Sequence, residues 1–268
     1  MMKNSDDADP IEKVVATRVE NGGCRRVEES VVKTAILTIY VNGSELASLV
    51  CTPTHLESLA AGFLVSEGYL RARDELSSIA IVRGKTYVAD VTTSSPVRRE
   101  PFARRMLITS GCGSSGTLVR VMGEIGHQAP LPDCSFRAAD IVRRMRELGE
   151  QAVLFSETGG AHIAALFDGD ALTYVMEDVG RHNALDKVIG AAFLDEVSVT
   201  CSGLASSGRL SADAVSKALA FRVPLLVSRS APTSMAVELA RRAGLTLVGF
   251  VRGGRMNVYA GEERIVID

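Results

Sequence analysis

Alternating apolar and polar positions predict β-structure in the first part of the chain. Residues 35–51 contain two β-rich runs around Asn42 and Gly43, a dipeptide that supplies the positive φ angles of a tight hairpin turn. Residues 79–91 predict a second hairpin, which turns at Gly84. These hairpins indicate a β-rich N-terminal subdomain.

Apolar residues at helical spacing predict two helices with recognisable ends. The first begins at a capping box formed by Thr54 and Glu57, and it ends where Gly68 supplies a C-terminal cap. The second is capped by Ser135 and runs to about Leu148, with its apolar residues on one face.

Strands and helices alternate in the second part of the chain, which predicts a largely parallel sheet covered by helices. Residues 168–170 form a hairpin turn signal. We place the domain boundary near residues 125–135, which gives an N-terminal unit, 1–130, and an α/β unit, 131–268. The predicted strands are 162–167, 171–179, 197–201, 223–228, 245–251 and 256–260, and the predicted helices are 183–193, 212–221 and 234–243.

Composition narrows the class of protein. Of the 268 residues, 46% are hydrophobic and 23% are charged, so the chain can bury a core. The net charge of -2 argues against a nucleic-acid partner, but it is compatible with a local basic pocket for one phosphate. No apolar run has the ~18 residues that cross a bilayer, and the polar residues 1–10 predict a frayed tail rather than a secretory signal. We therefore expect a cytoplasmic protein with no membrane partner.

The five cysteines are scattered, so we expect free thiols and no disulfide framework. Cys51 and Cys201 end apolar runs, which favours buried packing. Cys24 and Cys134 lie in polar or linker sequence, where exposure is compatible with their surroundings. Cys112 lies between two glycines, where nearby N–H groups can stabilise the nucleophilic thiolate. An ordinary glycine loop with an inert thiol is the alternative interpretation of Cys112.

Cations gather at the start of the predicted helix 183–193. Arg181, His182 and Asn183 stand together at its N-terminus, where positive charge is unfavourable without an anion. A bound phosphate resolves this conflict, and a capped helix with a solvated first turn is the alternative. Three later loops offer hydroxyls, N–H groups and arginine, a combination that suits a phosphate or pyrophosphate: residues 201–209, 228–233 and 252–255.

A zinc site is the competing chemistry. His55 and Glu57 match the H-x-E half of the zinc deaminase signature. The other half, P-C-x-x-C, is missing because Ser115 stands three residues after Cys112, and the capping box already explains Glu57. We therefore predict no metal ligands.

Together these segments resemble the FdhD family of formate dehydrogenase accessory proteins, which are sulfurtransferases or sulfur carriers. The similarity runs through nearly the whole chain after about Val31. Its motifs, which are specific in this order, are LAAGFLVSEG (59–68), the Gly-Cys-Gly loop at Cys112, TGGAH (158–162), EDVGRHNALDK (177–187), SSGR (206–209), SAPT (230–233) and GFVRGGRMN (249–257).

The resemblance implies an α/β fold with a cytidine deaminase-like core and a homodimeric assembly. It implies that a cysteine desulfurase loads sulfur onto Cys112, the catalytic residue, as a persulfide. The sulfur then passes to the molybdenum or tungsten bis-molybdopterin guanine dinucleotide cofactor that formate dehydrogenase apo-enzyme needs. GDP or GTP is expected to bind as a surrogate for this cofactor. The alternatives are a non-catalytic guanine-nucleotide chaperone and a zinc-dependent, deaminase-like hydrolase.

The same resemblance assigns the binding residues. The cofactor-binding segment falls on Phe250, Val251, Arg252, Gly253, Gly254 and Arg255. The further candidates are His162, Arg181, His182, Lys187, Ser207, Arg209, Ser228 and Ser230. Many family members carry C-x-x-C in the loop, whereas this chain has Ser115 at the second position. That difference argues against a disulfide mechanism there and leaves a single-cysteine relay intact.

Overall fold

The computed structural model describes residues 8–94, 106–108 and 130–267. Cys112 and Ser115 lie outside the described residues, so their assignments stay predictions. The strands are β1 (Ile11–Glu20), β2 (Gly23–Val32), β3 (Ala35–Val41), β4 (Ser44–Cys51), β5 (Leu76–Arg83), β6 (Tyr87–Thr93), β7 (Met106–Ile108), β8 (Phe136–Arg137), β9 (His162–Phe167), β10 (Leu172–Asp178), β11 (Gly203–Ser206), β12 (Leu225–Ser228), β13 (Thr246–Arg252), β14 (Arg255–Ala260) and β15 (Ile265–Val266). The helices are α1 (Leu56–Ser66), α2 (Ala138–Glu150), α3 (Val153–Thr158), α4 (Arg181–Leu194), α5 (Ala212–Ala220) and α6 (Ser234–Ala243).

Five strands form the N-terminal sheet, in the order β5-β6-β3-β4-β7. The predicted hairpin β3–β4 is confirmed, and it turns through Asn42 and Gly43 at φ values of 50° and 75°. Leu37 and Ile39 are buried while their neighbours along β3 are more exposed, as the alternation predicts. The predicted hairpin β5–β6 is also confirmed.

Six strands form the second sheet, in the order β10-β9-β11-β12-β13-β14. Strands β11, β12 and β13 run parallel, which confirms the parallel character predicted for this part of the chain. Strands β9, β10 and β14 add antiparallel pairs on both sides. The fold is therefore mixed α/β, as predicted.

The two faces of the second sheet bury different helices. Ile163 and Ala165 of β9 share a cluster with Ile141 of α2, whereas Ala164 and Leu166 pack into the cluster of α4. Alternate residues along a strand point to opposite faces, so β9 contributes side chains to both hydrophobic clusters. The chain is thus layered as α2, the six-stranded sheet, α4 with α1, and the five-stranded sheet.

Helices α1 and α4 join the two sheets through a very close crossing. A Cβ atom built on Gly62 would lie 1.8 Å from the carbonyl oxygen of Asp186, and one on Gly190 would lie 1.8 Å from that of Ser58. No side chain fits there, so glycine on both helices permits the contact. One hydrophobic cluster consequently spans both sheets, with Leu37 and Leu247 among its members.

Several predicted boundaries are wrong because distant segments compete with local signals. Helix α1 has His55 as its N-cap, at φ 50°, and the Thr54 hydroxyl instead accepts a hydrogen bond from Lys187 at 3.3 Å. Ser135 does not cap α2, because the chain first forms β8 beside β15 and Arg137 becomes the N-cap. The predicted strand 197–201 is a turn segment, and β11 begins at Gly203.

Several elements had no sequence prediction, among them the short strands β7, β8 and β15. The hairpin β1–β2 covers Ile11–Val32 with ten paired residues on each strand, and its side chains are exposed or half-buried. The six-residue helix α3 is too short to show periodicity. No described helix is both long and apolar enough to cross a membrane.

The expectation of free thiols is wrong for one pair. Cys134 and Cys201 form a disulfide across a sequence separation of 67 residues. Cys201 is exposed rather than buried, and Cys134 is only 7% exposed. Sequence spacing does not reveal such a pairing, because tertiary packing brings the segment before β8 to the loop after α4. Cys51 is buried, as predicted, and Cys24 is exposed.

Candidate functional site

The loops after the parallel strands β11 and β12 are bonded to one another. The Ser228 hydroxyl donates to the carbonyl of Gly208 at 2.6 Å, and the Gly208 N–H donates to the hydroxyl of Ser206 at 3.1 Å. The Ser230 N–H donates to Ser228 at 3.0 Å. Parallel strands end at the same edge of a sheet, and ligands bind at that edge in this kind of fold. The predicted loops 201–209 and 228–233 therefore meet at one place.

His162 joins this edge from the start of β9. Its Nδ1 atom lies 3.2 Å from the Ser207 hydroxyl, which also accepts a hydrogen bond from the Ile163 N–H at 3.1 Å. Burial, and then the charge of Arg181, lower the pKa of His162 below 6.5. The imidazole is therefore neutral at pH 7, and its Nδ1 can accept a hydrogen bond from the Ser207 hydroxyl. This pairing fixes the ring against the loop after β11.

The N-terminus of α4 lies against the same loop. The N-cap is Gly180, which has no side chain to satisfy the first N–H groups of the helix. A Cβ atom on Gly208 would lie 2.7 Å from the Cβ of Arg181, so glycine at this position allows the loop and the helix start to touch. The positive end of the helix dipole and the Arg181 guanidinium together favour an anion here.

His182 is buried behind Arg181 and does not carry charge. Its Nε2 atom lies 3.2 Å from the Ser211 hydroxyl. Burial lowers the pKa of His182 to about 3, and the cations Lys217, Arg181 and Arg209 contribute to the lowering. The positive charge of the site therefore comes from arginine rather than histidine. Arg209 is exposed at this corner.

A buried polar network holds the corner between β10 and α4. The Asp178 carboxylate, which is 0% exposed, accepts hydrogen bonds from the Thr52 N–H at 3.0 Å, the Gly180 N–H at 2.8 Å and the Asn183 amide at 2.9 Å. It also forms an ion pair with Lys187 at 2.7 Å. Thr52 follows β4, so this network ties the first sheet to the start of α4.

The prediction that Lys187 contacts a ligand is wrong, because its side chain is completely buried. Its side chain is 0% exposed, and its Nζ atom donates to the carbonyls of Thr52 and Glu177 at 3.1 and 3.2 Å in addition to the ion pair. An ammonium group enclosed by these acceptors has no surface for a phosphate. Lys187 therefore stabilises the start of α4 from inside the core.

A second buried ion pair was missed by sequence reasoning. Lys217 of α5 contacts both carboxylate oxygens of Asp186 at 2.7 and 2.8 Å, and the Ser66 hydroxyl donates to the same carboxylate at 2.6 Å. The three residues come from α5, α4 and α1. Polar residues inside helices give no sequence signal for such a contact, because their partners lie far along the chain.

The segment 250–255 extends from the same sheet edge. Phe250 has a φ of 55°, at a register shift between β13 and β14, and its N–H donates to the Ser230 carbonyl at 3.1 Å. Arg252 lies over the Phe250 ring at 5.6 Å, and Arg255 is exposed across the turn. Val251 is only 2% exposed, so its side chain belongs to the core rather than to a binding surface.

The turn between β13 and β14 is formed by Gly253 and Gly254, whose φ values are 58° and 75°. Such left-handed backbone favours glycine at both positions. The turn presents the two flanking arginines at the edge where His162, Ser207, Ser228 and Ser230 also lie. Most of the binding residues assigned from the resemblance therefore share one edge of the sheet.

Cys51 is a buried free thiol that interacts electrostatically with Asp178 and Lys187. Burial raises its pKa to about 12, and the neighbouring charge of Asp178 adds to the rise. A thiol in this state is a poor nucleophile at neutral pH. Within the described ranges, no group of three or more histidine, cysteine or acidic side chains is placed to hold a metal ion.

The fold and the edge site define a mixed α/β protein with a positively charged site at the carboxyl ends of parallel strands. Comparison with known proteins then gives its family. The model of the FdhD/NarQ family matches residues 32–266, so the chain belongs to that family. This confirms the resemblance seen in the motifs.

Individual relatives agree. The chain is 37% identical over 252 residues to a sulfur carrier protein FdhD of Geobacillus kaustophilus, covering 93% of this chain and 95% of that relative. It is 34% identical over 259 residues to one of Listeria innocua, covering 96% and 99%. A crystal structure described as a formate dehydrogenase accessory protein from Desulfotalea psychrophila superposes with a TM-score of 0.80 and 29% identity, over 96% of this chain and 100% of that one.

Replacing Asp178 by asparagine tests the buried network. We expect Asp178→Asn to lower the free energy of unfolding by about 3–5 kcal/mol, because it leaves the Lys187 charge buried without a partner. Urea unfolding measures this loss. The matched control is Glu150→Gln, in the exposed pair with Arg146, which should cost less than about 1 kcal/mol. Equal effects of the two variants would contradict the role given to the network.

Stability should fall in acid because of His182. The unfolded imidazole takes up a proton near pH 6.5, whereas the folded one resists until about pH 3. The unfolded state therefore binds more protons between these pH values, so stability decreases as pH falls through that window. From pH 6.5 to 5, the contribution of His182 is about 2 kcal/mol. His182→Gln should flatten the unfolding free energy against pH by this amount, and an unchanged slope would contradict the prediction.

Proposed function

We propose that this protein is a sulfur carrier that supports the maturation of formate dehydrogenase. It takes sulfur from a cysteine desulfurase as a persulfide on Cys112 and delivers it to the molybdenum or tungsten bis-molybdopterin guanine dinucleotide cofactor. The observation that carries the proposal is the edge site, where an uncapped helix N-terminus, hydroxyl groups and arginines converge in a chain of the FdhD/NarQ family.

The chemistry of the edge suits a guanine dinucleotide. Its phosphates need N–H groups, hydroxyls and cations, which the start of α4, Ser207 and Arg209 provide. Phe250 is a half-buried ring beside these groups, and Arg252 extends the positive surface beyond it. The imidazoles of His162 and His182 are neutral, so the positive charge that attracts the phosphates comes from the arginines. GDP or GTP should therefore bind as a smaller substitute for the cofactor.

Chain connectivity supports the involvement of Cys112. Strand β7 runs parallel to β4, with Ile108 opposite Leu49. Both strands therefore end at the same edge, and three residues beyond Leu49 the Thr52 N–H binds Asp178. Cys112 follows Ile108 by four residues in the sequence. Strand β7, which precedes Cys112 in the sequence, therefore ends on the side of the first sheet that joins the start of α4.

Sulfur loading is a displacement between sulfur atoms. The Cys112 thiolate attacks the terminal sulfur of the donor persulfide, the S–S bond of the donor breaks, and the donor cysteine leaves as a thiolate. Cys112 then carries the extra sulfur as Cys–S–SH. Delivery returns Cys112 to a thiolate and turns sulfane sulfur into sulfide, so the acceptor supplies two electrons, as a reduced molybdenum or tungsten centre can. One cysteine suffices, which fits Ser115 at the second loop position.

The finer features implied by the resemblance belong to the same proposal. They are the cytidine deaminase-like core, the homodimer, the cytoplasmic location, and the interaction with a cysteine desulfurase and with formate dehydrogenase apo-enzyme. The names of the relatives and of the crystal structure support the sulfur carrier and accessory roles, since they describe a sulfur carrier and a formate dehydrogenase accessory protein.

Mass spectrometry tests the sulfur carrier. After incubation with a cysteine desulfurase and cysteine, the peptide that contains Cys112 should gain the mass of one sulfur atom. The Cys112→Ser variant should lose this gain and should fail to support formate dehydrogenase in cells, because no other thiol replaces the nucleophile. Cys24→Ser, at an exposed free thiol, is the matched control and should load normally.

The Cys112→Ser variant and a metal analysis of the purified protein separate the alternatives. A Cys112→Ser variant that supports full formate dehydrogenase activity and still binds guanine nucleotides would identify a non-catalytic chaperone. Stoichiometric zinc with deaminase turnover would identify a hydrolase. Either result would overturn the sulfur carrier proposal.

Calorimetry with GDP tests the edge site. Arg209→Gln should weaken GDP binding about tenfold or more, because a charge-assisted hydrogen bond to phosphate is lost. Arg146→Gln, at an exposed arginine of α2 away from the edge, should leave the affinity unchanged. If the two variants bind GDP equally well, the nucleotide does not occupy the proposed edge.

A further inference from the structure

The disulfide between Cys134 and Cys201 lies at the edge of the six-stranded sheet opposite to the candidate site. Cys201 precedes β11, whereas the candidate site follows the same strand. Its partner Cys134 precedes β8, and their Cα atoms are 5.6 Å apart. Only one of the two is open to solvent, since Cys201 is exposed and Cys134 is buried. Cys201 is therefore the more accessible of the two cysteines to an attacking thiol.

A cavity of about 380 Å³ opens beside Cys201. Phe136 and Phe167 contribute apolar walls, and Arg137 and Asp168 contribute charges of opposite sign. The volume is within the usual range for small-molecule sites. The disulfide therefore borders a space in which a small thiol can be held.

The contacts of the charged side chains around the cavity show which of them are available to a ligand. Arg143 donates to Asp140 at 2.6 Å and to the Gly169 carbonyl at 3.2 Å, whereas the Arg137 side chain is 67% exposed and meets Asp140 only at 3.8 Å. The Asp168 carboxylate accepts two backbone N–H bonds of 2.9 Å, which lower its pKa and keep it ionised. The cavity thus presents a reachable cation and a permanent anion.

We propose that Cys134 and Cys201 form a redox centre that exchanges with zwitterionic amino-acid thiols bound in this cavity. The α-carboxylate of such a thiol pairs with Arg137, its ammonium pairs with Asp168, and its sulfur faces Cys201. A purely anionic ligand would meet the carboxylates of the cavity, and a neutral thiol would use neither charge. Cysteine and its disulfide, cystine, are the simplest members of the class.

The exchange balances without any further reactant. A cysteine thiolate attacks the sulfur of Cys201, the protein disulfide breaks, and Cys134 leaves as a thiolate that takes a proton from water. The resulting Cys134 thiol has an acceptor at hand, because its sulfur lies 3.2 Å from the Thr200 carbonyl oxygen. A second molecule of free cysteine attacks the sulfur of the bound cysteine in the mixed disulfide. This step releases Cys201 as a thiolate and forms cystine. Two cysteines are oxidised while the protein pair is reduced, and cystine drives the reverse reaction.

The experiment compares two disulfide probes on the Cys134→Ser variant, in which Cys201 has lost its disulfide partner and is an exposed free thiol. At each cysteine, the rate of modification by cystine is divided by the rate with the neutral 2-hydroxyethyl disulfide. This ratio should be about ten times larger at Cys201 than at the exposed Cys24. Mass spectrometry measures both rates. Arg137→Gln should remove the preference for cystine and leave the rate of the neutral probe unchanged. Arg146→Gln, at an exposed arginine elsewhere on α2, should change neither rate.

The unmutated protein provides the second measurement. Cysteine added to the oxidised protein, followed by alkylation of thiols, should give a mixed disulfide on Cys201 and an alkylated Cys134. Equal modification of both cysteines, a cystine preference no larger than that of Cys24, or a pair that stays reduced in excess cystine would each overturn the proposal.

Discussion

The ion pair between Asp178 and Lys187 is the interaction on which the candidate site depends. Both side chains are completely buried, and Asp178 is bonded in addition to the backbone after β4 and to the first turn of α4. Burying two charges has a desolvation cost that offsets their attraction, so such a pair adds little net stability over apolar packing. We interpret its main effect as geometric, because the backbone of Thr52, which follows β4, bonds to both members of the pair and so joins the first sheet to the start of α4.

This geometry brings two strand edges together. The carboxyl end of β4 lies beside that of β7, and through Thr52 it is bonded to the corner from which Arg181 begins α4. The glycine crossing of α1 and α4 and the second ion pair, Lys217 with Asp186, fix the same relationship deeper in the core. The positive surface formed by Arg181 and Arg209 is therefore held on a rigid support.

Local patterns predicted the elements whose signals are local. Asn42 and Gly43 mark the first hairpin because a tight turn needs positive φ angles, and the helix over residues 234–243 matches its prediction at both ends. The predictions failed where distant partners decide. Thr54 accepts from Lys187 instead of capping a helix, Ser135 precedes a strand that pairs with β15, and residues 197–201 contribute their valines to the core without a strand partner.

Ordered motifs and local periodicity were enough to predict the family, the α/β class and the residue types that lie at the sheet edge. They did not predict which of those residues face outward and which are buried, because that depends on how the layers pack. Lys187 belongs to the same motif as Arg181, yet one is buried in an ion pair and the other lies at the helix start. The disulfide between Cys134 and Cys201 was likewise not predicted from the sequence. Contacts between residues far apart in the chain depend on how the layers pack, and no single segment carries that information.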